Sequence, residues 1–154
     1  MPCKIKKISI HFSIHATESY EKNLQALNSL VPEVIIKNAT KSHYTLEGGY
    51  GNPIEYYEIS INNQRDIKSV LNNLSKSLTE KEKQQLWLEF NERFDQKSKE
   101  FFIRIDKKHA FDNQIRLTES SYSFKIAIKI VSFSKHDNFE QILKDFDILS
   151  PIHS

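Results

Sequence analysis

The stretch LEGGYGNP, residues 46–53, contains all three glycines of the 154-residue chain. Glycine adopts positive φ at almost no cost, so three glycines this close together indicate a turn. Pro53 lacks an amide donor and disfavours helical geometry at Asn52, so we expect a strand rather than a helix to begin there. The stretch is therefore predicted to join two strands.

Apolar residues that alternate with polar ones predict strands on both sides of this turn. Residues 54–61 alternate after it, and residues 43–46 favour a strand before it. The same pattern predicts strands at residues 8–14, 101–106, 115–117 and 122–130, and the apolar residues 34–36 predict a further short one. The last three alternating segments follow one another without a helix between them, which is typical of antiparallel pairing.

Apolar residues at helical spacing predict four helices. Thr17 is expected to cap the first, which stops at Pro32, and the second spans residues 67–78. The third begins at Thr79, where Glu82 completes a capping box, and the last spans residues 139–146. Together these elements predict an α+β fold: a mainly antiparallel sheet with helices packed on one face. We expect a single domain over residues 1–149 and a short C-terminal tail, residues 150–154.

The composition limits both location and partners. A net charge of +2 and a pI of about 8.5 give no overall electrostatic case for nucleic acid. The single cysteine, Cys3, excludes an intrachain disulfide and fits a reducing compartment, so we expect a cytoplasmic protein. Polar residues interrupt the apolar residues at the N-terminus, which predicts neither a signal peptide nor a membrane span.

No motif in the sequence identifies a catalytic or cofactor site. Ile54 stands where a dinucleotide-binding fingerprint needs its third glycine, and the lysine of a phosphate-binding loop is missing. His11 and His15 share a strand face but lie about 13 Å apart, too far to hold one metal ion. We therefore expect no cofactor, no metal and no catalytic residue. An enzyme remains open only through a site assembled from residues distant in sequence.

The sheet face that the helices leave uncovered is predicted to combine basic and aromatic side chains. Lysine and arginine neutralise phosphates, and exposed rings stack on bases with about 1–3 kcal/mol each. The candidate RNA-binding residues on this face are Lys7, His11, Tyr56, Phe102, Arg104, Arg116, Lys125 and Lys129. Two alternatives stay open: a protein interface, such as a homodimer that buries Tyr56 and Phe102, and a plain solvated face.

Three motifs in order along the chain resemble an archaeal family of RNA-binding-domain proteins predicted to be exosome-associated. They are His15-Ala16-Thr17-Glu18, Glu47-Gly48 through Gly51-Asn52-Pro53-Ile54, and Arg104-Ile105-Asp106-Lys107-Lys108-x-Ala110. The resemblance implies an α+β fold similar to the large-subunit ribosomal protein that binds 5S RNA. It also implies a role in RNA processing or degradation, partners among RNA-processing proteins, and no catalytic residues. The motif positions that are not themselves predicted RNA contacts are His15, Thr17, Glu18, Glu47, Gly51, Asn52, Pro53, Asp106 and Ala110.

With this resemblance, the loops that flank the sheet join the candidate site. Lys107 and Lys108 are expected to contact phosphates, and Tyr50 is expected to stack on a base. Lys108-His109 departs from the glutamine-containing family motif, so base-specific contacts there are not carried over. A structural alternative stays open for Glu18, as a charge near a helix N-terminus, and for Asp106, as a strand terminator.

Overall fold

The computed structural model describes residues 4–47, 52–131 and 138–152. Within these residues the elements are, in chain order, β1 (Lys4–His15), α1 (Tyr20–Asn28), α2 (Glu33–Asn38), β2 (Thr40–Glu47), β3 (Pro53–Ile61), α3 (Gln64–Ser77), α4 (Glu80–Leu88), α5 (Phe90–Arg93), β4 (Phe94–Asp95), β5 (Glu100–Asp106), α6 (Lys107–Ala110), β6 (Ser123–Val131) and α7 (Phe139–Asp145).

The six strands form one open sheet in the order β2-β3-β1-β6-β5-β4, and every neighbouring pair is antiparallel. The central strand β1 pairs with β3 on one side and with β6 on the other. Ile8 lies opposite both Ile61 and Ile128, so the apolar residues of neighbouring strands share one face. The predicted α+β fold with a mainly antiparallel sheet is confirmed.

The helices cover this apolar face. Ile10 of β1, Ile103 of β5 and Ile126 of β6 are fully buried in one cluster. Leu27 of α1, Leu71 of α3, Leu86 of α4 and Leu143 of α7 join the same cluster from the helical side. Burial of each such side chain stabilises the fold by about 1.5–3 kcal/mol. The sheet therefore has one face packed against helices and one face left for other contacts.

Side-chain caps begin α1, α3, α4, α6 and α7, and the cap of α1 differs from the prediction. Ser19 rather than Thr17 caps α1, because the Ser19 side chain accepts a hydrogen bond from the amide of Lys22 at 3.2 Å. Thr17 lies in the exposed turn before it. Thr79 and Glu82 form the predicted capping box of α4, with the Glu82 carboxylate accepting from the Thr79 amide at 2.9 Å.

Two predicted strands are wrong. Residues 34–36 lie in the helix α2, where Ile35 and Ile36 face the core and Val34 is exposed. Three consecutive apolar residues fit a short helix that begins after Pro32 as well as they fit a strand, and the length of the run could not distinguish them. Leu117 makes only an isolated bridge to Ile105, so residues 115–117 do not form a strand.

The strands on either side of the glycine stretch pair with each other. Glu47 lies opposite Pro53, and the antiparallel register continues to Thr40 opposite Ser60. Residues 48–51 lie outside the described residues, so the turn itself, Gly51 and the contact role of Tyr50 stay predictions. The two strands that the stretch was predicted to join are confirmed.

Candidate nucleic-acid interface

The face of the sheet opposite the helices carries a cross-strand row of basic side chains. Lys125 of β6 lies between His11 of β1 and Arg104 of β5, directly opposite both. Lys7 lies opposite Lys129 across β1 and β6. We call this side of the sheet the open face; of the predicted site residues, it carries Lys7, His11, Tyr56, Phe102, Arg104, Lys125 and Lys129.

Four of the five basic side chains on the open face make no salt bridge to a described residue, although Glu100 lies directly opposite Lys129 across β5 and β6. Among the described residues, none of Lys7, Arg104, Lys125 and Lys129 lies within 4.0 Å of a carboxylate oxygen. Only His11 does, with Nε2 3.4 Å from Glu58. Like charges directly opposite each other on a sheet are unfavourable. An anion placed over this row would relieve that repulsion.

Phe102 supplies a ring within the basic row. The Nζ of Lys125 is 4.5 Å from the centroid of the Phe102 ring, which places the ammonium in cation–π contact. The small residues Ser9 and Ala127 beside it are buried, and the larger side chains are half-buried. The open face is therefore a partly filled surface on which charges and one ring are held together.

A pair of stacked rings lies at the β2 edge of the same face. Tyr44 of β2 is directly opposite Tyr56 of β3, and their rings stack with centroids 5.2 Å apart at 10°. Tyr44 is 58% exposed. Tyr44 is not among the residues predicted from the sequence, although a hairpin symmetric about residue 50 places it opposite Tyr56. The strand register across the glycine stretch was the signal that could have found it.

A groove of about 410 Å³ lies at the other end of the face, beside β5. Phe102, Arg104 and Lys125 line it. The neighbouring Arg93 is committed to two carboxylates, since its guanidinium lies 2.7 Å from Glu89 and 3.2 Å from Glu119. The groove also contacts Glu92. These carboxylates make this end of the open face less favourable for an anion than its centre.

Lys107 does not lie on an accessible surface, which corrects the prediction that it contacts phosphates. The residue is 1% exposed. Its ammonium donates to the backbone carbonyl of Ser13 and to the Glu18 carboxylate at 3.1 Å, and it lies 5.1 Å from the centroid of the Tyr122 ring. A phosphate would have to displace these partners. Lys107 is therefore a structural residue.

This contact joins two of the three family motifs. Glu18 accepts hydrogen bonds from the amide of His15 at 2.8 Å and from Lys107, and so connects the end of β1 to the start of α6. Burial opposes ionisation of Glu18, but the His15 amide and the Lys107 ammonium together hold its pKa below its usual value. Burial lowers the pKa of Lys107, and the nearby Glu18 charge opposes that shift.

Two further predicted phosphate contacts have different positions. Arg116 lies outside the open face, because its guanidinium donates to the carbonyl of Ser77 at the end of α3, on the helical side of the sheet. Lys108 is exposed in α6 and stays a candidate. Asp106 caps α6 by accepting from the amide of His109 at 3.0 Å, which fits its structural alternative.

The other family-motif residues lie at the ends of elements. Ala110 is buried in α6, and His15 is exposed at the end of β1. Glu47 and Pro53 face each other where β2 and β3 meet the glycine stretch, and Asn52 is exposed beside them. These positions shape corners of the fold rather than forming one cluster on the open face.

The described residues lack two further features. No group of three or more His, Cys, Asp or Glu side chains among them could hold a metal ion. None of the helices in this part of the chain is long and apolar enough to span a bilayer.

The sequence that forms this sheet and its helices matches a known protein family. A family model described as RNA binding matches residues 7–131, and the chain belongs to that family. The chain is 35% identical over 127 residues to RNA-binding protein PAB1135 of Pyrococcus abyssi, with 82% of each chain covered. The family resemblance predicted from the motifs is confirmed to this extent.

Solved archaeal structures share the fold. Protein AF2318 of Archaeoglobus fulgidus, described as a DUF54 protein, superimposes with a TM-score of 0.75 at 25% identity and covers 92% of this chain and 96% of its own. The DUF54 protein Mth689 of Methanothermobacter thermautotrophicus superimposes with a TM-score of 0.72 at 22% identity and covers 95% and 98%. The whole described sheet and its helices therefore belong to a recurrent architecture.

Proposed function

We propose that this protein binds single-stranded or unpaired RNA through the open face, without catalysing a reaction. The observation that carries the proposal is the basic row His11–Lys125–Arg104, whose lysine and arginine have no carboxylate partner among the described residues. Membership of the RNA-binding family and the name of the Pyrococcus relative support RNA as the polyanion.

In this proposal the centre of the open face and its β2 edge contact different parts of the RNA. The centre, with Lys7, Lys125 and Lys129, would neutralise phosphates, which supplies affinity without sequence preference. Tyr44 and Tyr56 lie four and three strands away from Arg104 along the sheet, and strands are spaced by about 4.8 Å. Their rings would stack on a base some 15–20 Å from the guanidinium. Such a span fits several nucleotides laid across the strands.

The wider role is proposed from the motif resemblance alone. It supports a role in RNA processing or degradation, an exosome-associated complex and other RNA-processing proteins as partners, and likeness to the ribosomal protein that binds 5S RNA. A cytoplasmic location is proposed separately, from the single cysteine Cys3. A homodimer that uses the same face is the rival use of Tyr56 and Phe102.

Binding of a labelled oligouridylate of about 12 nucleotides tests the proposal. The double variant Lys125→Ala/Lys129→Ala removes two charges from the open face and should weaken binding at least tenfold at low salt. Lys68→Ala, an exposed lysine on α3, removes a charge from the helical side and is the matched control. Equal affinity of the wild type and the double variant would exclude the open face, and a concentration-dependent dimer that buries Tyr56 would favour the rival.

A further inference from the structure

A cluster of aromatic rings lies on the helical side of the sheet, beyond the part that the helices cover. Tyr57 of β3 stacks between Phe12 of β1 and His43 of β2, with centroid distances of 5.3 and 4.9 Å and interplanar angles of 13° and 16°. The ring of Tyr20 of α1 contacts the Tyr57 ring in a tilted arrangement, with a centroid distance of 5.7 Å and an interplanar angle of 44°. Phe12 belongs to the core, so the stack runs from the interior to the surface.

The outer rings of this stack are accessible. Tyr20 is 49% exposed, and the His43 side chain is 51% exposed. In the described sheet no strand lies beyond β2, the edge strand that carries His43. A stack of nearly parallel rings whose outermost rings are exposed can accept a further planar ring.

Two adjoining cavities flank Tyr20, His43 and Tyr57. One, of about 400 Å³, lies toward α1 and α2 and has mainly apolar walls that include Leu24 and Ile36. The other, of about 480 Å³, lies toward the end of β1 and includes Glu55. Both volumes fall within the range of small-molecule sites. We call the two cavities together the aromatic cleft.

Polar groups at the edge of the rings could fix a ligand's orientation. The Glu55 carboxylate accepts from Thr45 and from His43, and the His43 hydrogen bond is the main reason that its pKa lies below the usual value. A carboxylate has acceptor capacity beyond these bonds. Burial raises the pKa of Tyr57, so its hydroxyl stays a donor, and it has no hydrogen-bond partner among the described residues.

We infer that the aromatic cleft is a binding site for a nucleobase, which stacks on Tyr20 and His43 and is held at its edge by Tyr57 and Glu55. Flat rings with polar edges match a heteroaromatic base better than an aliphatic side chain. The carboxylate favours an exocyclic amino donor over a phosphate. The base would come either from an RNA strand or from a free nucleoside, since both present the same ring.

The cleft is separate from the open face and is tested independently of it. The probes are 2-aminopurine riboside and a short oligoribonucleotide with one internal 2-aminopurine, whose fluorescence is quenched when the base stacks. Tyr20→Leu and His43→Leu should each weaken binding by about 5- to 100-fold, as loss of one base–aromatic stack does. Phe111→Leu is the matched control, because Phe111 is an exposed ring just after α6 that lines neither cavity.

The source of the base follows from which probe binds. Quenching of the riboside indicates a free nucleoside, and quenching of the oligonucleotide alone indicates an RNA strand; either supports the cleft if it depends on Tyr20 and His43. Lys125→Ala/Lys129→Ala should leave quenching of the riboside unchanged. The inference is overturned if neither probe is quenched, or if Phe111→Leu weakens binding as much as the two cleft variants while urea midpoints show all three folded.

Discussion

At the scale of single residues, the main result is the contact between Glu18 and Lys107. Both residues belong to family motifs in the sequence, where they look like surface charges. Lys107 was predicted to contact a phosphate. The structure instead buries the ammonium between the Ser13 carbonyl, the Glu18 carboxylate and aromatic rings. Sequence pattern could not reveal this, because the partners lie 89 positions apart and burial of a lysine depends on packing between distant segments.

Removing the ammonium should therefore cost stability. Lys107→Ala leaves the Glu18 carboxylate and the Ser13 carbonyl without their shared donor, and loss of one partner of a buried ion pair costs about 3–5 kcal/mol. Urea unfolding at neutral pH measures the change. Lys108→Ala, the exposed neighbour, should change the free energy of unfolding by less than about 0.5 kcal/mol. Similar effects of the two substitutions would show that the pair contributes little.

The same contact predicts a dependence on acidity. Because the folded-state pKa of Glu18 lies below its unfolded value, its contribution to stability is complete above the unfolded pKa of about 4.3. That contribution is lost as the pH falls through the lower folded value. Unfolding experiments from pH 6 to roughly pH 3 should show a shallower loss of stability for Glu18→Gln than for the wild type. Parallel curves would contradict the assignment.

At the scale of elements, alternation and capping predicted most of the framework. The strands β1, β3, β5 and β6 follow from residues that alternate between a helical side and an open side. Prediction failed in α2, where a short apolar run fits either a helix or a strand. It also failed before α1, where both Thr17 and Ser19 carry a hydroxyl that could cap the helix. Tertiary packing decides such cases.

Glu82 of α4 combines capping with a tertiary contact. One oxygen accepts from the Thr79 amide, and the other accepts from the amide of Leu117 at 2.8 Å. Thr79→Ala should cost about 1 kcal/mol. Glu82→Ala removes the cap and a charged hydrogen bond, and should cost about 2–3 kcal/mol. Thermal or urea unfolding checks this order, with exposed Lys81→Ala as the control; an effect of Glu82→Ala no larger than that of Thr79→Ala would mean that the Leu117 contact is weak.

At the scale of the whole molecule, the two faces of the sheet separate stability from binding. The net charge of +2 does not reveal the basic row, because the row arises from strand pairing that places Lys125 between His11 and Arg104. Alternation correctly predicted that five basic residues and two rings, Tyr56 and Phe102, lie on one face, and it did not include Tyr44. It misplaced Arg116, since the segment that carries it is not a strand.

The salt dependence of RNA binding tests the open face most directly. Each phosphate neutralised on a single strand contributes about −0.7 to the slope of log affinity against log salt concentration. Lys125→Ala/Lys129→Ala should therefore make the slope shallower by roughly 1.4, while Lys68→Ala leaves it unchanged. A wild-type slope near zero, or the same slope for the wild type and the double variant, would contradict RNA binding through this face.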